Sequence, residues 1–76
     1  MDALEMLDPL AIEVRNRRQA LRLTQQQLAD LAGTGRRVVI DLEAARGAIS
    51  LGRVAAICSI LGLRLHATPA EQVRGL

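Results

Sequence analysis

The stretch from Thr24 to Glu43 constrains the fold more than any other part of this 76-residue chain. Thr24 and Gln27 have the spacing of a capping box, in which each side chain bonds the other residue's backbone N–H at a helix start. Apolar residues then recur at helical spacing, at Leu28, Leu31 and Ala32. Gly33 follows, and glycine readily takes the positive φ at which a helix ends. The pattern predicts a short helix over residues 25–32.

A second short helix is predicted to begin just after this turn, at Arg36, and to run to about Ala44. On a helical wheel Val39 and Leu42 share one face, which we expect to pack against the preceding helix. The opposite face carries Arg37, Ile40 and Asp41, with Arg36 at its edge. Two helices joined by a short glycine-containing turn, the second headed by arginines, are typical of a helix-turn-helix that enters the DNA major groove.

Charge is informative here through its distribution more than its total. The formal net charge is only +2, but all ten cations are arginine, whose planar fork matches the two acceptors of guanine. The clustered arginines are Arg15, Arg17, Arg18, Arg22, Arg36, Arg37 and Arg46. An ordinary solvated charged face on a helical hairpin is the alternative interpretation of the same residues.

Composition predicts a small helical core without aromatic residues. Half of the residues are hydrophobic and none is Phe, Tyr or Trp, so Leu, Ile, Val and Ala must fill the core. Cys58 lies in an apolar run and is expected to be a core residue. With His66 as the single histidine, neither a metal site nor a Cys-His catalytic pair has enough partners. We therefore expect no cofactor and no enzymatic activity. With no signal peptide or long apolar span, we also expect a cytoplasmic protein without membrane contact.

The first helix is predicted to begin at Asp8 and Pro9, an N-cap followed by proline at the first helical position, and to end near Arg22. Residues 1–8 form a separate N-terminal segment in this interpretation. The predicted inward residues are Leu10, Ala11, Val14 and Leu21. Arg18 lies on the same stripe, where an unpaired cation would be costly, so we expect it to pair with Glu43.

The end of the chain predicts a fourth helix and then a strand. Ser50 is placed to cap a helix over residues 51–61, and Gly62 to end it. Its inward residues are expected to be Leu51, Val54, Ile57, Cys58 and Leu61. Leu63, Leu65 and Ala67 then alternate with polar residues, which is typical of a half-buried strand over residues 63–68. No other stretch resembles a strand, so the expected partner is the same strand of a second copy. Residues 69–76 are expected to form a flexible tail.

Taken together, the stretch from Arg15 to Leu63 resembles the Xre/Cro-type helix-turn-helix of phage repressors and bacterial regulators. The matching residues are Leu23-Thr24-Gln25, Leu28-Ala29, Ala32-Gly33-Thr34, Val39 and Leu42-Glu43. The ending is similar to that of HipB-like antitoxins, in which a strand pairs across a dimer. It consists of Leu51, Val54, Ile57, Leu61, Gly62, Leu63, Arg64 and Leu65.

The resemblance implies a mostly α, lambda-repressor-like domain of four to five helices over residues 9–62, with a dimerisation strand over residues 63–68. It implies a homodimer that binds an inverted-repeat operator in double-stranded DNA. The implied DNA-binding residues are Gln25, Thr34, Gly35, Arg36, Arg37, Asp41 and Arg46. Among these, Gln25 and Arg46 are expected on phosphates and the arginine pair on bases. Arg18 and Glu43 match a buried structural ion pair, and Leu63, Leu65 and Ala67 the dimer contact.

Several positions depart from the family pattern. Gly35 replaces a side-chain cap, and Ala44 and Ala45 stand where Asn and Gly are common, so the turn after the second helix of the motif is expected to differ. Ile40 is apolar where the family is usually polar. Asp41 either orients Arg37, four residues earlier, or accepts a hydrogen bond from cytosine.

The function predicted first is a dimeric transcriptional repressor that is the antitoxin of a HipBA-like system, autoregulates its operon and binds a HipA-like kinase toxin. One alternative is a stand-alone or phage-type repressor without a toxin. Another, of a different class, is a protein-interaction module that has lost DNA binding. In the first two cases the protein is expected at the nucleoid.

Overall fold

Four helices make up the fold. A computed structural model describes the backbone of residues 3–69 and the side chains of residues 9–69. The helices are α1 (Ala3–Ala20), α2 (Gln25–Ala32), α3 (Arg36–Glu43) and α4 (Leu51–Ile60). This part of the chain contains no strand, so the prediction of a mostly α domain is confirmed. The tail predicted over residues 69–76 lies, apart from Pro69, outside the described residues.

The predicted start of α1 is wrong. The helix begins at Ala3 and carries Pro9 inside it, so Asp8 and Pro9 do not open it. A proline in a helix interior cannot donate to the residue four before it, here Glu5, and normally destabilises the helix. The five residues from Ala3 to Leu7 are Ala, Leu, Glu, Met and Leu, all strong helix formers. Their combined propensity favours a helix that continues through the local start signal.

The end of α1 also differs from the prediction. Ala20 is the last helical residue, and Arg22 adopts a left-handed backbone conformation with φ of 58°. The backbone N–H of Leu23 then bonds the carbonyl of Arg18 at 3.1 Å. Because the chain leaves the helix before Leu21, the helical wheel no longer applies to that residue. Leu21 is exposed, whereas Ala11 and Val14 are buried as predicted.

The predicted bounds of α2 are confirmed, together with its capping box. Thr24 Oγ1 accepts from the Gln27 backbone N–H at 3.0 Å, and Gln27 Oε1 accepts from the Thr24 N–H at 2.9 Å. Gly33 ends the helix with φ of 69°. The inward residues are Leu28 and Ala29, and Leu31 is exposed instead.

Helix α3 begins at Arg36 after Gly35, which supplies no side-chain cap. Val39 and Leu42 are fully or almost fully buried, which confirms the predicted inner face. The helix ends at Glu43, one residue before the predicted end.

Helix α4 is capped by Ser50, whose Oγ accepts from the Arg53 N–H at 3.3 Å. Leu51 is 76% exposed, so its predicted inward position is wrong. It is the first residue of the helix, and Ile49 in the preceding connector packs against the core instead. At the other end, Arg17 Nε donates to the Leu61 carbonyl at 2.7 Å, which ties α1 to the end of α4.

The core lies where the four helices meet, and it sets the position of α3. Its buried residues are Val14, Leu28, Ala29, Val39, Leu42, Val54, Ile57, Cys58 and Leu61. Burial raises the pKa of the Cys58 thiol, because desolvation disfavours the thiolate. Within residues 3–69, no helix is both long and apolar enough to cross a membrane.

Residues 63–69 leave the core without regular secondary structure. Leu63 is half-buried and packs against the core cluster, while Leu65 and Ala67 are exposed. The strand expected here needs a partner edge for its backbone groups, so it remains a prediction about the dimer.

Candidate nucleic-acid interface

An ion pair between Arg18 and Glu43 fastens α3 to α1. Arg18 Nε lies 2.6 Å from Glu43 Oε2, and Arg18 Nη2 lies 2.9 Å from Oε1, so the contact is bidentate. The side chains are only 13% and 6% exposed. Arg18 Nη1 also donates to the Leu23 carbonyl at 2.9 Å. Hydrogen bonding to Glu43 raises the pKa of the Arg18 guanidinium, against the desolvation that lowers it.

The N-terminal end of α3 presents two arginines to solvent. Arg36 and Arg37 are both exposed, and the Arg37 side chain retains 75% of its accessible surface. Val39 and Leu42 are buried on the other side of the same helix. The positive end of the helix dipole adds to the arginine charges. This surface can therefore attract an anion and offer several N–H donors to it.

Asp41 lies between two arginines. Its Oδ1 is 3.4 Å from Arg37 Nε, one helical turn before it, and 3.1 Å from Arg46 Nε in the following loop. The backbone N–H of Arg46 also donates to the Asp41 carbonyl at 2.9 Å. Of the two roles predicted for Asp41, the structure contains the contact with Arg37.

Gln25 stands at the start of α2, beside the arginine-bearing end of α3. The side chain is half-buried, and its Nε2 lies 3.4 Å from Glu43 Oε1. A recess between the two helices is lined by Arg18, Thr24, Gln25, Gln26 and Arg36. The first residues of α2 and the first arginine of α3 therefore border one surface depression.

The turn between α2 and α3 is only partly accessible. Thr34 is half-buried, and its Oγ1 is buried without a hydrogen-bond partner among the described residues. Gly35 is exposed, with open space where a Cβ would lie. Both residues adjoin the arginine pair in the chain.

Sequence reasoning missed the contact between Asp41 and Arg46. The two residues are five apart and the helix ends between them, so no helical spacing predicts their meeting. The turn after α3 causes this contact: Ala45 adopts φ of 54°, and Gly47 with φ of 81° follows Arg46. These two left-handed residues fold the loop back towards Asp41, whose Oδ2 lies 3.5 Å from the position of a Cβ on Gly47.

Two of the three predicted dimer residues, Leu63 and Leu65, lie at a second surface, at the end of α4. A recess there is lined by Ala55, Cys58, Ser59, Gly62, Leu63, Arg64 and Leu65. Within residues 9–69, no group of three or more His, Cys, Asp or Glu side chains could hold a metal ion.

The comparisons with known proteins agree with this geometry. A family model described as helix-turn-helix matches residues 14–67, which is more than half of the chain and includes α2, α3 and α4 entirely. No curated protein matches the chain. With α2, the Gly33 turn and α3 in the arrangement of the motif, the chain belongs to the Xre/Cro-type helix-turn-helix family of DNA-binding transcription regulators.

Proposed function

We propose that this protein is a dimeric, sequence-specific repressor that inserts the N-terminal end of α3 into the major groove. The observation that carries the proposal is the exposure of Arg36 and Arg37 at the start of a helix held by the core and by Glu43. An arginine on a rigid helix can make a bidentate contact with guanine at a fixed register.

The other site residues have positioning roles in this proposal. Gln25, at the N-terminus of α2, bonds a phosphate with help from the helix dipole. Arg46 reaches a second phosphate from the loop, and the turn of Thr34 and Gly35 lets the DNA backbone approach closely. These phosphate contacts set the register in which the arginine pair of α3 meets the bases.

The second part of the proposal is a homodimer formed by residues 63–68. Leu65 is exposed beside the recess at the end of α4, and the backbone of this segment lacks a partner edge within the described chain. Antiparallel pairing with the same segment of a second copy would satisfy those backbone groups. The resulting twofold symmetry would match an inverted-repeat operator.

Salt-dependent binding to genomic DNA fragments distinguishes this function from a protein-interaction module. A repressor that neutralises phosphates loses affinity steeply as salt rises. The logarithm of its binding constant falls against the logarithm of the salt concentration with a slope of about −0.9 for each phosphate that it neutralises. Arg46→Ala should weaken binding to all sequences alike and flatten the slope by about 1 for each phosphate that the variant no longer neutralises. Absence of any salt-dependent band shift for the wild-type protein would favour the interaction module.

We propose further that the repressor is the HipB-like antitoxin of a kinase-like toxin. The antitoxin would act in the cytoplasm and repress its own operon. The supporting feature is the run from Leu61 to Leu65 after α4, which resembles the antitoxin ending. A stand-alone or phage-type repressor is the alternative. Co-purification with the product of the neighbouring gene tests the choice. A kinase-like protein retained with the repressor supports the antitoxin, and a neighbouring gene that encodes no such protein favours the alternative.

A further inference from the structure

The Asp41 carboxylate connects α3 to the loop that follows it through two arginines. Arg37 and Arg46 approach the same oxygen, Oδ1, and both do so through Nε, at 3.4 Å and 3.1 Å. Arg46 is held a second time through its backbone N–H on the Asp41 carbonyl. The Asp41 side chain is 24% exposed, whereas those of Arg37 and Arg46 are 75% and 56% exposed. Arg46 Nε donates a hydrogen bond to this oxygen, whereas Arg37 Nε makes an ion-pair contact with it. One half-buried anion thus lies beside the near ends of two largely exposed guanidinium groups.

This arrangement has two physical consequences at a DNA surface. Contacts through Nε leave the Nη groups of both arginines available for bases or phosphates. The carboxylate also lowers the local charge from +2 to +1, which reduces the attraction to any phosphate, whatever the sequence. An acceptor that fixes an arginine also reduces the entropic cost of a bidentate contact made by that arginine.

We infer that Asp41 is a specificity-determining positioning residue, which holds Arg37 and Arg46 in register for DNA and raises sequence discrimination at the expense of non-specific affinity. The inference rests on the proposed function and adds to it a role for a residue that itself repels DNA. Each Nε stays on Asp41 in the complex, while the Nη groups of Arg37 meet a base and those of Arg46 meet a phosphate.

The test compares Asp41→Asn with Asp30→Asn. Asparagine keeps the shape of Asp41 but removes the charge that attracts both arginines. Asp30 is an exposed aspartate of α2 that bonds Gln26 at 2.8 Å and contacts no arginine in the described structure, so its variant controls for the loss of one negative charge. An operator is first selected from a random-sequence duplex library with wild-type protein. Affinity is then measured for that operator and for a scrambled duplex of equal length, across salt concentrations.

Asp41→Asn should bind the scrambled duplex about fivefold more tightly at 0.1 M salt, because two arginines become free to contact phosphates. The ratio of operator to scrambled affinity should fall by about fivefold or more, since the bidentate contact loses its support. Asp30→Asn should leave the ratio unchanged. An unchanged ratio for Asp41→Asn, or equal weakening on both duplexes, would overturn the inference. Asp41→Ala, which removes the acceptor altogether, should lower the ratio at least as far.

A measurement without DNA separates this inference from the proposed function. The Nε–H resonances of Arg37 and Arg46 in an ¹⁵N-labelled protein should both shift and narrow in Asp41→Asn as the side chains become mobile, and should be unchanged in Asp30→Asn. Resonances unaffected by Asp41→Asn would refute the positioning role even if wild-type protein binds its operator. If Asp41→Asn changes these resonances but wild-type protein binds no duplex, DNA binding is refuted, and with it the assigned specificity role.

Discussion

Two residues of the described chain that are not glycine, Arg22 and Ala45, adopt left-handed backbone conformations. For an L-residue this conformation costs about 1–2 kcal/mol, because Cβ approaches the carbonyl oxygen. The resemblance led us to expect a different turn here, because Ala45 replaces the glycine of the motif. The difference that the structure contains is an alanine in a left-handed backbone conformation, with φ of 54°. The turn itself still bends as a glycine would allow.

Ala45→Gly should therefore stabilise the protein by about 0.5–1 kcal/mol, since relief of strain exceeds the added entropy of the unfolded chain. Ala44→Gly is the matched control, because Ala44 has a right-handed conformation with φ of −88°. That variant should destabilise by about 0.5–1 kcal/mol. Urea unfolding of both variants measures the difference, and equal effects of the two substitutions would contradict the strain assigned to Ala45.

Cys58 should make the stability of the protein depend on pH. Burial raises the pKa of its thiol above the ordinary value of 9.0, so the folded state favours the neutral form. The stabilisation is fully present below about pH 9 and is lost as the pH rises, because the unfolded chain ionises first. The slope can reach at most about 1.4 kcal/mol per pH unit, and the loss ends once the pH exceeds the pKa of the folded thiol.

The chain suits this measurement because it contains no lysine and no tyrosine, whose titrations would overlap. Unfolding free energy measured from pH 8.5 to 10.5 should fall in the wild-type protein. Cys58→Ala should be less stable throughout but nearly independent of pH over that interval. The same slope in both proteins would show that another group causes the loss.

The position of α3 depends on the ion pair that Glu43 makes with Arg18 of α1. Removing one partner of a buried ion pair leaves the other charge without compensation, at a cost of about 3–5 kcal/mol. Glu43→Ala should thus lower the melting temperature strongly without DNA present, whereas Glu13→Ala, at an exposed site of α1, should change stability by less than about 0.5 kcal/mol. Similar melting temperatures for the two variants would mean that the pair contributes little.

The elements that sequence reasoning placed well are those with local signals. The capping box of Thr24 and Gln27, the glycine that ends α2 and the apolar spacing within α3 all act over one or two helical turns. The ends of α1 could not be found in this way, because the propensity of residues 3–7 competes with the Asp8-Pro9 signal. Leu51 was predicted to face the core because its spacing fits the inner face of the helical wheel. A helical wheel does not predict at which residue of α4 the contact with the core begins.

The site shows the same division between local and tertiary information. The exposed arginines of α3 follow from the helical wheel. The partner of Arg18 could be inferred, because a cation on a buried stripe requires a carboxylate. The contact of Arg46 with Asp41 depends on the path of a loop, and that path depends on a strained alanine. Spacing in the sequence does not predict it.

The proposed repressor acts as a dimer, because an inverted-repeat operator needs a twofold-symmetric protein. A chain that ends at Gly62 loses Leu63, which packs against the core, and the segment proposed to pair across the dimer. It should be monomeric or unstable in light scattering at micromolar concentration. A chain that ends at Pro69 keeps the segment and is expected to remain dimeric. Full-length protein that is monomeric under the same conditions would exclude pairing through residues 63–68.

The base preference of Arg37→Ala shows whether the start of α3 reads DNA sequence. With the operator selected by wild-type protein, each base pair is substituted in turn and binding of both proteins is measured. Arg37→Ala should lose about 1–3 kcal/mol of discrimination at one base pair per half-site and keep the other preferences. Arg53→Ala, an exposed arginine of α4, should keep them all. An operator preference that survives Arg37→Ala at every position would contradict the assignment of α3 as the reading helix.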